Sequence, residues 1–375
     1  MKIAKVTCWI LRMPYKAPLI EGTQHQWGNF VEIETEDGLK GHALSTSPMR
    51  HGVREYVNRE AGPMMIGMDA SRPEEVRNVL FWATAKYFMG AWSHATSLID
   101  IALWDLKGKA LGSPIWKLLG GAQKEIPAYI TFGFPFFDDD QLVELAKQLV
   151  KDGQKRLKLT VGSTLAGVHG SWVPPNDKTI AKDITRIRKV REAIGPDIEL
   201  MIDGNKSFHY PQALKLAKLA EPYDLTWFED PFIQGDPRLL ARLRNQTTIP
   251  MAAGSTGTGD LMYLREFLLL DAVDYLQPNV RDIGGYTQGV KAAALAKAFN
   301  VPLSMGGNYP HLNMHLLGGV TQDGRVEFHL QGWACVTSLF DGAENPSANG
   351  TLTLPEAPGL GFTPKSGILD LAVEN

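Results

Sequence analysis

The feature that most constrains the fold is the repeated alternation of short apolar runs with longer amphipathic stretches from residue 126 onward. Each run has the length and flanking turn residues of a buried strand, and helical patterns separate most of them. Eight strands with intervening helices over about 210 residues are what a (β/α) barrel requires. A doubly wound sheet is the competing α/β fold, but no G-x-G-x-x-G follows an early strand. The predicted strands span 126–133, 156–161, 198–203, 225–230, 249–255, 275–280, 301–306 and 326–331.

The preceding residues have a different organisation, with strands first and helices after. Asp37-Gly38 is a hairpin turn signal between two alternating patterns, and the last helix is predicted to begin at a capping serine, Ser93, and to end at Gly112. The predicted strands and then helices span 2–12, 29–35, 39–46, 49–61, 72–87 and 91–111. We therefore predict an α+β capping domain over 1–125, a barrel over 126–345, and a C-terminal segment over 346–375 that returns to the cap.

Charge and cysteine content exclude several classes of protein. The 38 Lys and Arg residues against 41 Asp and Glu residues leave a net charge of -3, whereas a dedicated nucleic-acid or membrane-surface binder has a basic surface. Two cysteines, Cys8 and Cys335, provide neither a disulfide framework nor a metal cluster. The first residues lack the apolar run of a signal peptide, and no stretch has the roughly 18 apolar residues of a membrane span. These observations predict a soluble, cytoplasmic globular protein.

Two carboxylates stand at the ends of neighbouring predicted strands. Asp203 and Glu229 are 26 residues apart, which is one β/α unit, so we expect them at the same height on adjacent strands. The carboxyl ends of barrel strands face the active site, and hard divalent cations such as Mg²⁺ bind one or a few carboxylates. The alternative is a pair of helix-capping acids, and spacing alone does not separate the two interpretations.

Five segments together resemble the enolase superfamily, in its mandelate racemase and muconate-lactonizing branch. The resemblance covers nearly the whole chain, and the segments lie at 97–121, 200–205, 227–231, 249–255 and 275–285. It implies a modified TIM-type (β/α)7β barrel with an N-terminal α+β capping domain, and assembly as a homo-oligomer. The insertion at 167–177 and the segment at 44–47 look most like sugar-acid dehydratases, rhamnonate dehydratase in particular.

The resemblance also implies a metal site. In the family, three acids at the ends of the third, fourth and fifth strands hold one Mg²⁺, which neutralises a substrate carboxylate. Asp203 and Glu229 match the first two positions, but the third is Ser255, whose neutral hydroxyl is a poor Mg²⁺ ligand. Asp260 is an alternative third ligand from the neighbouring glycine-rich stretch. We therefore expect weak or substrate-assisted Mg²⁺ binding.

The usual family bases are also depleted. Lys158 keeps the first, electrostatic position of the family's K-x-K motif, but Thr160 replaces the second lysine, which serves as the base. On the opposite face, Asn279 replaces the aspartate of an Asp–His dyad, and the histidine position falls near Gly306–Gly307.

Other side chains remain candidates for proton transfer. Lys206 follows the third strand, and solvated surface lysine is the favoured alternative for it. His311 and His315 are four residues apart, a spacing that also suits a transition metal or helix packing. Glu327 matches a family position that hydrogen-bonds the substrate carboxylate as an acid, and burial beside that carboxylate would raise its pKa. His329 lies two residues further along the eighth strand, where packing at the core edge is the stronger interpretation.

Cap loops and strand ends supply candidate substrate-binding groups. His25 and Arg50 lie in loops that family members place over the substrate, although ordinary loop polarity explains them nearly as well. Asn205 follows the third strand, and Tyr309 is a further acid beside His311.

The sequence therefore predicts a Mg²⁺-dependent hydro-lyase that converts an acid sugar into a 2-keto-3-deoxy acid by α-proton abstraction through an enediolate. Two alternatives stay open. One is a non-catalytic family member that binds a sugar acid, since a metal ligand and both usual bases are replaced. The other is a racemase or cycloisomerase, which needs a properly placed base. In every case the expected partner is a small carboxylate.

Overall fold

An antiparallel sheet and a helical layer form the cap. In the computed structural model, residues 1–16, 18–46, 49–85, 90–134, 136–162, 175–254, 261–307, 309–343 and 349–373 are described. Strand β2 pairs with both β1 and β3, and the predicted turn lies between β2 and β3, where Gly38 has a φ of 83° that favours glycine. The strands are β1 Ile3–Tyr15, β2 Gln24–Thr35 and β3 Lys40–Ser45.

The cap helices follow as predicted, with one difference at the start of the longest. They are α1 Arg50–Tyr56, α2 Gly62–Met65, α3 Pro73–Leu80, α4 Ala91–Ala110 and α5 Ile115–Leu118. Helix α4 begins before Ser93, so the predicted capping role of this serine is wrong. The Ser93 hydroxyl instead donates to the Asp282 carbonyl oxygen at 2.6 Å and thereby ties α4 to the barrel.

Eight parallel strands form a nearly closed barrel. Their order in the sheet is β10-β11-β4-β5-β6-β7-β8-β9, and the Leu276 amide closes the gap between the two end strands by donating to the Pro302 carbonyl oxygen at 3.0 Å. Except for β4, the strands are shorter than predicted, most of all β8, β9 and β10. They are β4 Glu125–Gly133, β5 Arg156–Thr160, β6 Glu199–Asp203, β7 Leu225–Glu229, β8 Met251–Ala253, β9 Tyr275–Leu276, β10 Ser304–Met305 and β11 Arg325–His329.

Helices connect these strands and cover the barrel. Among the described residues they are α6 Asp139–Lys151, α7 Asp177–Ile194, α8 Tyr210–Ala220, α9 Pro237–Arg244, α10 Leu261–Leu269, α11 Gly285–Ala298, α12 Pro310–Val320 and α13 Leu330–Leu339. No helix in this described part of the chain combines the length and apolarity needed to cross a membrane.

Aromatic and ionic groups fill the amino-terminal end of the barrel. Trp227 packs edge-on against Tyr129 with ring centroids 5.2 Å apart, and the guanidinium of Arg325 lies 5.5 Å from the Trp227 ring. Glu199 accepts hydrogen bonds from Arg156 and Arg325. These side chains pack below the carboxyl ends of the strands, where the active sites of barrel enzymes lie.

The C-terminal segment contacts both parts of the chain. Strand β12 Phe340–Asp341 pairs with β14 Thr363–Pro364, and β13 Thr351–Thr353 pairs with β4 of the barrel. Close to the end, the Val373 amide donates to the Ile10 carbonyl oxygen of the cap at 2.9 Å. The segment therefore links cap strand β1 to the first barrel strand.

A buried acid on α4 yields a stability prediction. The amide of Thr287 on α11 donates to Asp100 Oδ1 at 3.1 Å, and burial raises the pKa of Asp100 to about 7. Because the native state then holds a proton that the unfolded chain loses, this group makes stability fall as pH rises from about 4 to 7. Asp100→Asn should remove this pH dependence and raise the free energy of unfolding at pH 8 by about 1–3 kcal/mol. Urea unfolding at pH 4 and 8, with exposed Asp197→Asn as control, checks this, and an equal effect at both pH values would contradict it.

Candidate active site

A buried lysine joins three carboxylates at the carboxyl ends of the barrel strands. Lys158 on β5 has no exposed surface, and its Nζ lies 2.6 Å from Glu229 Oε1 on β7. The same Nζ lies 3.1 Å from Asp203 Oδ2 on β6 and 3.1 Å from Glu327 Oε1 on β11. Asp203 and Glu229 are direct neighbours in the strand register, as their 26-residue spacing predicted. Four of the predicted site residues thus meet in one cluster.

Two further side chains hold Glu229 in place. Gln277 follows β9 and donates from Nε2 to Glu229 Oε2 at 2.9 Å, and Trp227 donates from Nε1 to the same oxygen at 3.1 Å. Both donors are buried. Since they bind Oε2, the other oxygen of Glu229 is directed at Lys158. Neither Gln277 nor Trp227 was a predicted site residue, although Trp227 stands two residues before Glu229 and therefore points to the same side of the strand.

Glu327 is fixed in the same way from the other side of the barrel. Thr131 on β4 donates from Oγ1 to Glu327 Oε1 at 2.5 Å, and the Gly307 amide donates to Oε2. Burial alone would raise the pKa of Glu327, but Lys158, His329 and these two donors lower it below its usual value. In the protein on its own, Glu327 is therefore an ionised hydrogen-bond acceptor. The predicted rise in its pKa applies beside a substrate carboxylate and stays a prediction.

The loops after β6 and β7 carry backbone strain. Asn205, Lys206 and Asp230 have φ values of 44°, 57° and 38°, in the left-handed region that residues other than glycine rarely adopt. Two backbone hydrogen bonds hold these loops, from the Asn205 amide to Asp203 Oδ1 at 2.8 Å and from the Lys206 amide to the Asp230 carbonyl oxygen at 2.7 Å. Strain of this kind persists where the surroundings impose a geometry, which is common beside ligand sites.

The cluster holds more negative than positive charge. Burial by itself would lower the pKa of Lys158, but Asp203, Glu229 and Glu327 raise it well above its usual value, so Lys158 stays protonated. Burial, together with the charges of Asp203 and Glu327, raises the pKa of Glu229 despite the contact with Lys158. Three carboxylates around one ammonium group leave a deficit of positive charge, which a divalent cation would neutralise.

The donor chemistry of this cluster fits Mg²⁺. Asp203 and Glu229 offer two hard carboxylate oxygens on adjacent strands, and Mg²⁺ commonly binds one or two carboxylates and keeps water in its other positions. The predicted third ligand Ser255 and its alternative Asp260 lie outside the described residues. Within the described residues, no three His, Cys, Asp or Glu side chains form a metal-binding group of their own.

Comparison with known families adds independent information. The N-terminal domain of mandelate racemase / muconate lactonizing enzyme matches residues 5–120, and the enolase C-terminal domain-like family matches residues 141–368. The chain belongs to the mandelate racemase/muconate lactonizing enzyme family of the enolase superfamily. This confirms the resemblance, and with it the barrel and the capping domain.

Individual relatives of this family are sugar-acid enzymes. The 3,6-anhydro-alpha-L-galactonate cycloisomerase of Streptomyces coelicolor is 30% identical over 377 residues, covering 96% of each chain. The arabinonate dehydratase of Saccharolobus solfataricus is 28% identical over 349 residues, covering 91% of this chain and 89% of the relative. Among solved structures, the L-talarate dehydratase from Polaromonas sp. JS666, complexed with Mg and L-glucarate, superposes with a TM-score of 0.84 at 29% identity, covering 100% of this chain and 98% of that one.

Thr160 is the residue that the resemblance places at the position of the family's lysine base. It lies on β5, where its hydroxyl donates to the Gly133 carbonyl oxygen at 2.5 Å. The Thr160 carbonyl oxygen in turn accepts from Arg186 Nη1 at 2.9 Å. Thr160 is therefore part of the hydrogen-bonded barrel wall.

Histidines on two elements are the other candidates for proton transfer. His311 on α12 is buried, with its ring 5.8 Å from Phe362 and 6.3 Å from Phe328, and these contacts match the packing alternative. His315 Nε2 donates to the Leu360 carbonyl oxygen at 3.0 Å, and burial lowers the pKa of His315 to about 4. Neither histidine has a described contact with the carboxylate cluster.

His329, by contrast, lies beside the cluster. It ends β11 two residues after Glu327, its ring is 4.8 Å from Phe134, and it is partly exposed. Burial lowers the pKa of His329 to about 4, and the charges of Glu327, Lys158 and Asp203 also act on its ring. The imidazole is thus neutral near pH 7. Its side chain lies two residues from Glu327 along the strand and so points to the same face, while packing at the core edge stays the alternative interpretation.

The predicted substrate-binding residues fall in several places. Arg50 lies over the Trp27 ring at 4.8 Å, and His25 Nδ1 is 3.4 Å from Arg12 Nη2 at an exposed position of the cap sheet. Tyr309 precedes α12 and is buried, which raises the pKa of its phenol above the usual value. Lys206 and Asn205 occupy the strained loop after β6.

The turn after β9 adds a residue that the sequence analysis missed. Arg281 Nε donates to Asp282 Oδ2 at 3.1 Å, and its Nη1 donates to Thr46 Oγ1 of the cap at 3.0 Å. Arg281 therefore brings a fixed positive charge to the boundary between cap and barrel.

Proposed function

We propose that this protein is a Mg²⁺-dependent dehydratase of a polyhydroxy carboxylate. The observation that supports this most directly is the set of in-register carboxylates, Asp203 and Glu229, around the buried ammonium group of Lys158. Such a cluster attracts a divalent cation and, through it, an anionic ligand. Relatives of the chain at about 30% identity act on sugar acids, which favours the same substrate class.

Asp203 and Glu229 would hold the magnesium ion, which supplies Lewis-acid stabilisation for a bound carboxylate. The chain itself provides the remaining electrostatics. Lys158 is kept protonated by three carboxylates, so it serves as a fixed positive charge and not as the base. Such preorganised charges stabilise an enediolate most effectively in a site without water.

His329 is the proposed proton-transfer group. Its neutral imidazole stands at the barrel mouth, two residues beyond Glu327, so it is free to accept the proton from the carbon next to the substrate carboxylate. Loss of the β-hydroxyl as water, after that oxygen gains a proton, converts the intermediate to an enol. Tautomerisation of the enol then yields the 2-keto-3-deoxy acid.

Cycloisomerase chemistry is the second candidate, because one relative at 30% identity is a cycloisomerase. It also begins with proton transfer next to a carboxylate, so it needs the same cluster and the same histidine. Racemisation needs a base on each face of the substrate, and Thr160 and Asn279 stand at the family positions for these groups. A protein that binds sugar acids without turnover is the remaining alternative.

Glu229→Gln tests the metal assignment. Wild type should gain thermal stability with added MgCl₂, and this gain should disappear in the variant because one of two anionic ligands is lost. The measurement is a melting curve over a MgCl₂ series, supported by calorimetric titration with and without arabinonate, galactonate and galactarate. Glu192→Gln, which alters an exposed Arg188 pair on α7, is the matched control and should respond like wild type. An unchanged Mg²⁺ response in Glu229→Gln would remove this residue from the metal site.

Turnover decides between the chemical alternatives. Formation of a keto acid from the ligand that binds indicates dehydration, and a new product without loss of water indicates isomerisation. Binding of Mg²⁺ and a sugar acid with no product would favour the non-catalytic alternative.

A further inference from the structure

A buried side-chain donor lies beside the cluster without a hydrogen-bond partner. Asn279 follows β9, is 1% exposed, and its Nδ2 has no partner among the described residues. Most buried polar atoms in proteins are paired, because an unmet donor loses its water without compensation. Asn279 follows the carboxyl end of barrel strand β9, where the resemblance places an aspartate of the family.

The orientation of this amide is set by the turn that follows. Asn279 Oδ1 accepts from the Arg281 amide at 3.3 Å, and the Asn279 carbonyl oxygen accepts from the Asp282 amide at 2.9 Å. Rotating the side-chain amide by half a turn would place its NH₂ group against the Arg281 N–H, donor against donor. The oxygen therefore faces the turn and the NH₂ group faces away from it.

The NH₂ group lies against Gly307, next to Glu327. Gly307 has a φ of 109°, and a Cβ atom at this position would collide with Asn279 Nδ2. The Gly307 amide donates to Glu327 Oε2, while the other oxygen of Glu327 contacts Lys158 at 3.1 Å. The unpaired NH₂ group of Asn279 thus lies directly against Gly307. Because the Gly307 amide binds Glu327, this donor is close to the carboxylate that we expect to contact the substrate.

We propose that Asn279 Nδ2 donates a hydrogen bond to a hydroxyl oxygen of the bound acid sugar. This inference rests on the proposed function, since it assigns a recognition role within the same site. Asn279 Nδ2 has no hydrogen-bond partner among the described residues of the free protein, and a hydroxyl oxygen of the ligand would supply one. The site should therefore bind a hydroxyl-bearing acid more tightly than the same acid without the hydroxyl group, which offers no acceptor at this point. Asn279 in this position serves selectivity, whereas the family aspartate serves proton transfer.

Calorimetry on the full-length protein with MgCl₂ tests the proposal. The probes are the tightest binder among arabinonate, galactonate and galactarate and its counterpart without hydroxyls, which is pentanoate, hexanoate or adipate. Asn279→Leu keeps the size of the side chain and removes the donor. It should bind the sugar acid about five- to tenfold more weakly than wild type and leave the affinity for the counterpart unchanged. Asn279→Asp also exchanges the donor for an acceptor but adds a negative charge, so it should bind both anionic probes more weakly, with the larger loss for the sugar acid.

Melting curves without ligand supply the second measurement. Nδ2 has no described partner to lose, and Asn279→Leu gives up only the 3.3 Å hydrogen bond that Oδ1 accepts from the Arg281 amide, so its melting temperature should fall by no more than about 2 °C. A larger fall in Asn279→Leu would show that the NH₂ group is paired structurally, and equal sugar-acid affinity in wild type and this variant would also overturn the proposal. An equal loss for both probes in Asn279→Leu would assign the donor to the carboxylate and overturn the proposed hydroxyl contact. If wild type binds none of the three acids, the proposed function falls together with this inference.

Discussion

Lys158→Met should lower the free energy of unfolding by about 3–5 kcal/mol when no divalent cation is present. The substitution preserves the length of the side chain but removes the buried ammonium group that lies within 3.1 Å of Asp203, Glu229 and Glu327. Three carboxylates then face each other without a counter-charge. They would have to take up protons to relieve the repulsion, so the loss should be larger at pH 8 than at pH 5.

Added MgCl₂ should restore part of this stability. A divalent cation between Asp203 and Glu229 replaces the missing positive charge, so the Mg²⁺-dependent rise in melting temperature should be larger in Lys158→Met than in wild type. Turnover should nevertheless be lost, because the fixed charge next to the substrate carboxylate is gone.

Urea unfolding with EDTA and with MgCl₂ measures both effects. Lys189→Met is the matched control, since it breaks a partly exposed pair with Asp139 at 2.8 Å and should cost no more than about 1 kcal/mol. If Lys158→Met costs no more than this control, the carboxylates are not held by the ammonium group in solution. A smaller Mg²⁺ response than in wild type would contradict the expected replacement of the ammonium charge by the divalent cation.

The sequence predicted the barrel because the period of strands and helices does not depend on side-chain detail. All eight predicted strands are present, yet β9 and β10 are only two residues long. The predicted strands at 275–280 and 301–306 extend beyond the paired residues into turns that contribute groups to the site. Apolar character alone does not show at which residue the pairing between strands ends. Ser93 is a similar case, because its carbonyl partner Asp282 is 189 residues away.

Site residues could be predicted from the sequence where their spacing along the chain determines how close they lie in the structure. Asp203 and Glu229 are one β/α unit apart, and their register follows from parallel pairing. Gln277 and Thr131 were missed because they reach the carboxylates from other strands, at positions 48 and 196 residues away from their partners. No local pattern marks such contacts, since they depend on how the barrel closes.

The choice between His311 and His329 illustrates the same limit. His311 was favoured because it follows the seventh strand closely, but its side chain belongs to α12 and packs between aromatic rings. His329 lies two residues after Glu327 on β11, so the two side chains point to the same face of the sheet. Strand alternation therefore favours His329 in our proposal, while a catalytic role for His311 stays a prediction.

His329→Asn should reduce turnover by about 10²- to 10⁴-fold, the usual contribution of a positioned acid or base. Asparagine keeps a polar group of similar size at the end of β11 but cannot accept a proton near neutral pH. The metal cluster does not include His329, so the Mg²⁺ response and the affinity for the sugar acid should remain close to wild type. The defect should therefore appear in kcat.

His311→Asn is the matched control because it makes the same chemical change in a packed environment. It should lower the melting temperature, since a polar amide replaces a ring that contacts Phe328 and Phe362, and leave turnover within about tenfold of wild type. Exchange of the α-proton in D₂O, followed by NMR, detects proton transfer even when water is not lost. If His311→Asn abolishes this exchange while His329→Asn retains it, the proton passes through α12 and the assignment made from β11 is wrong.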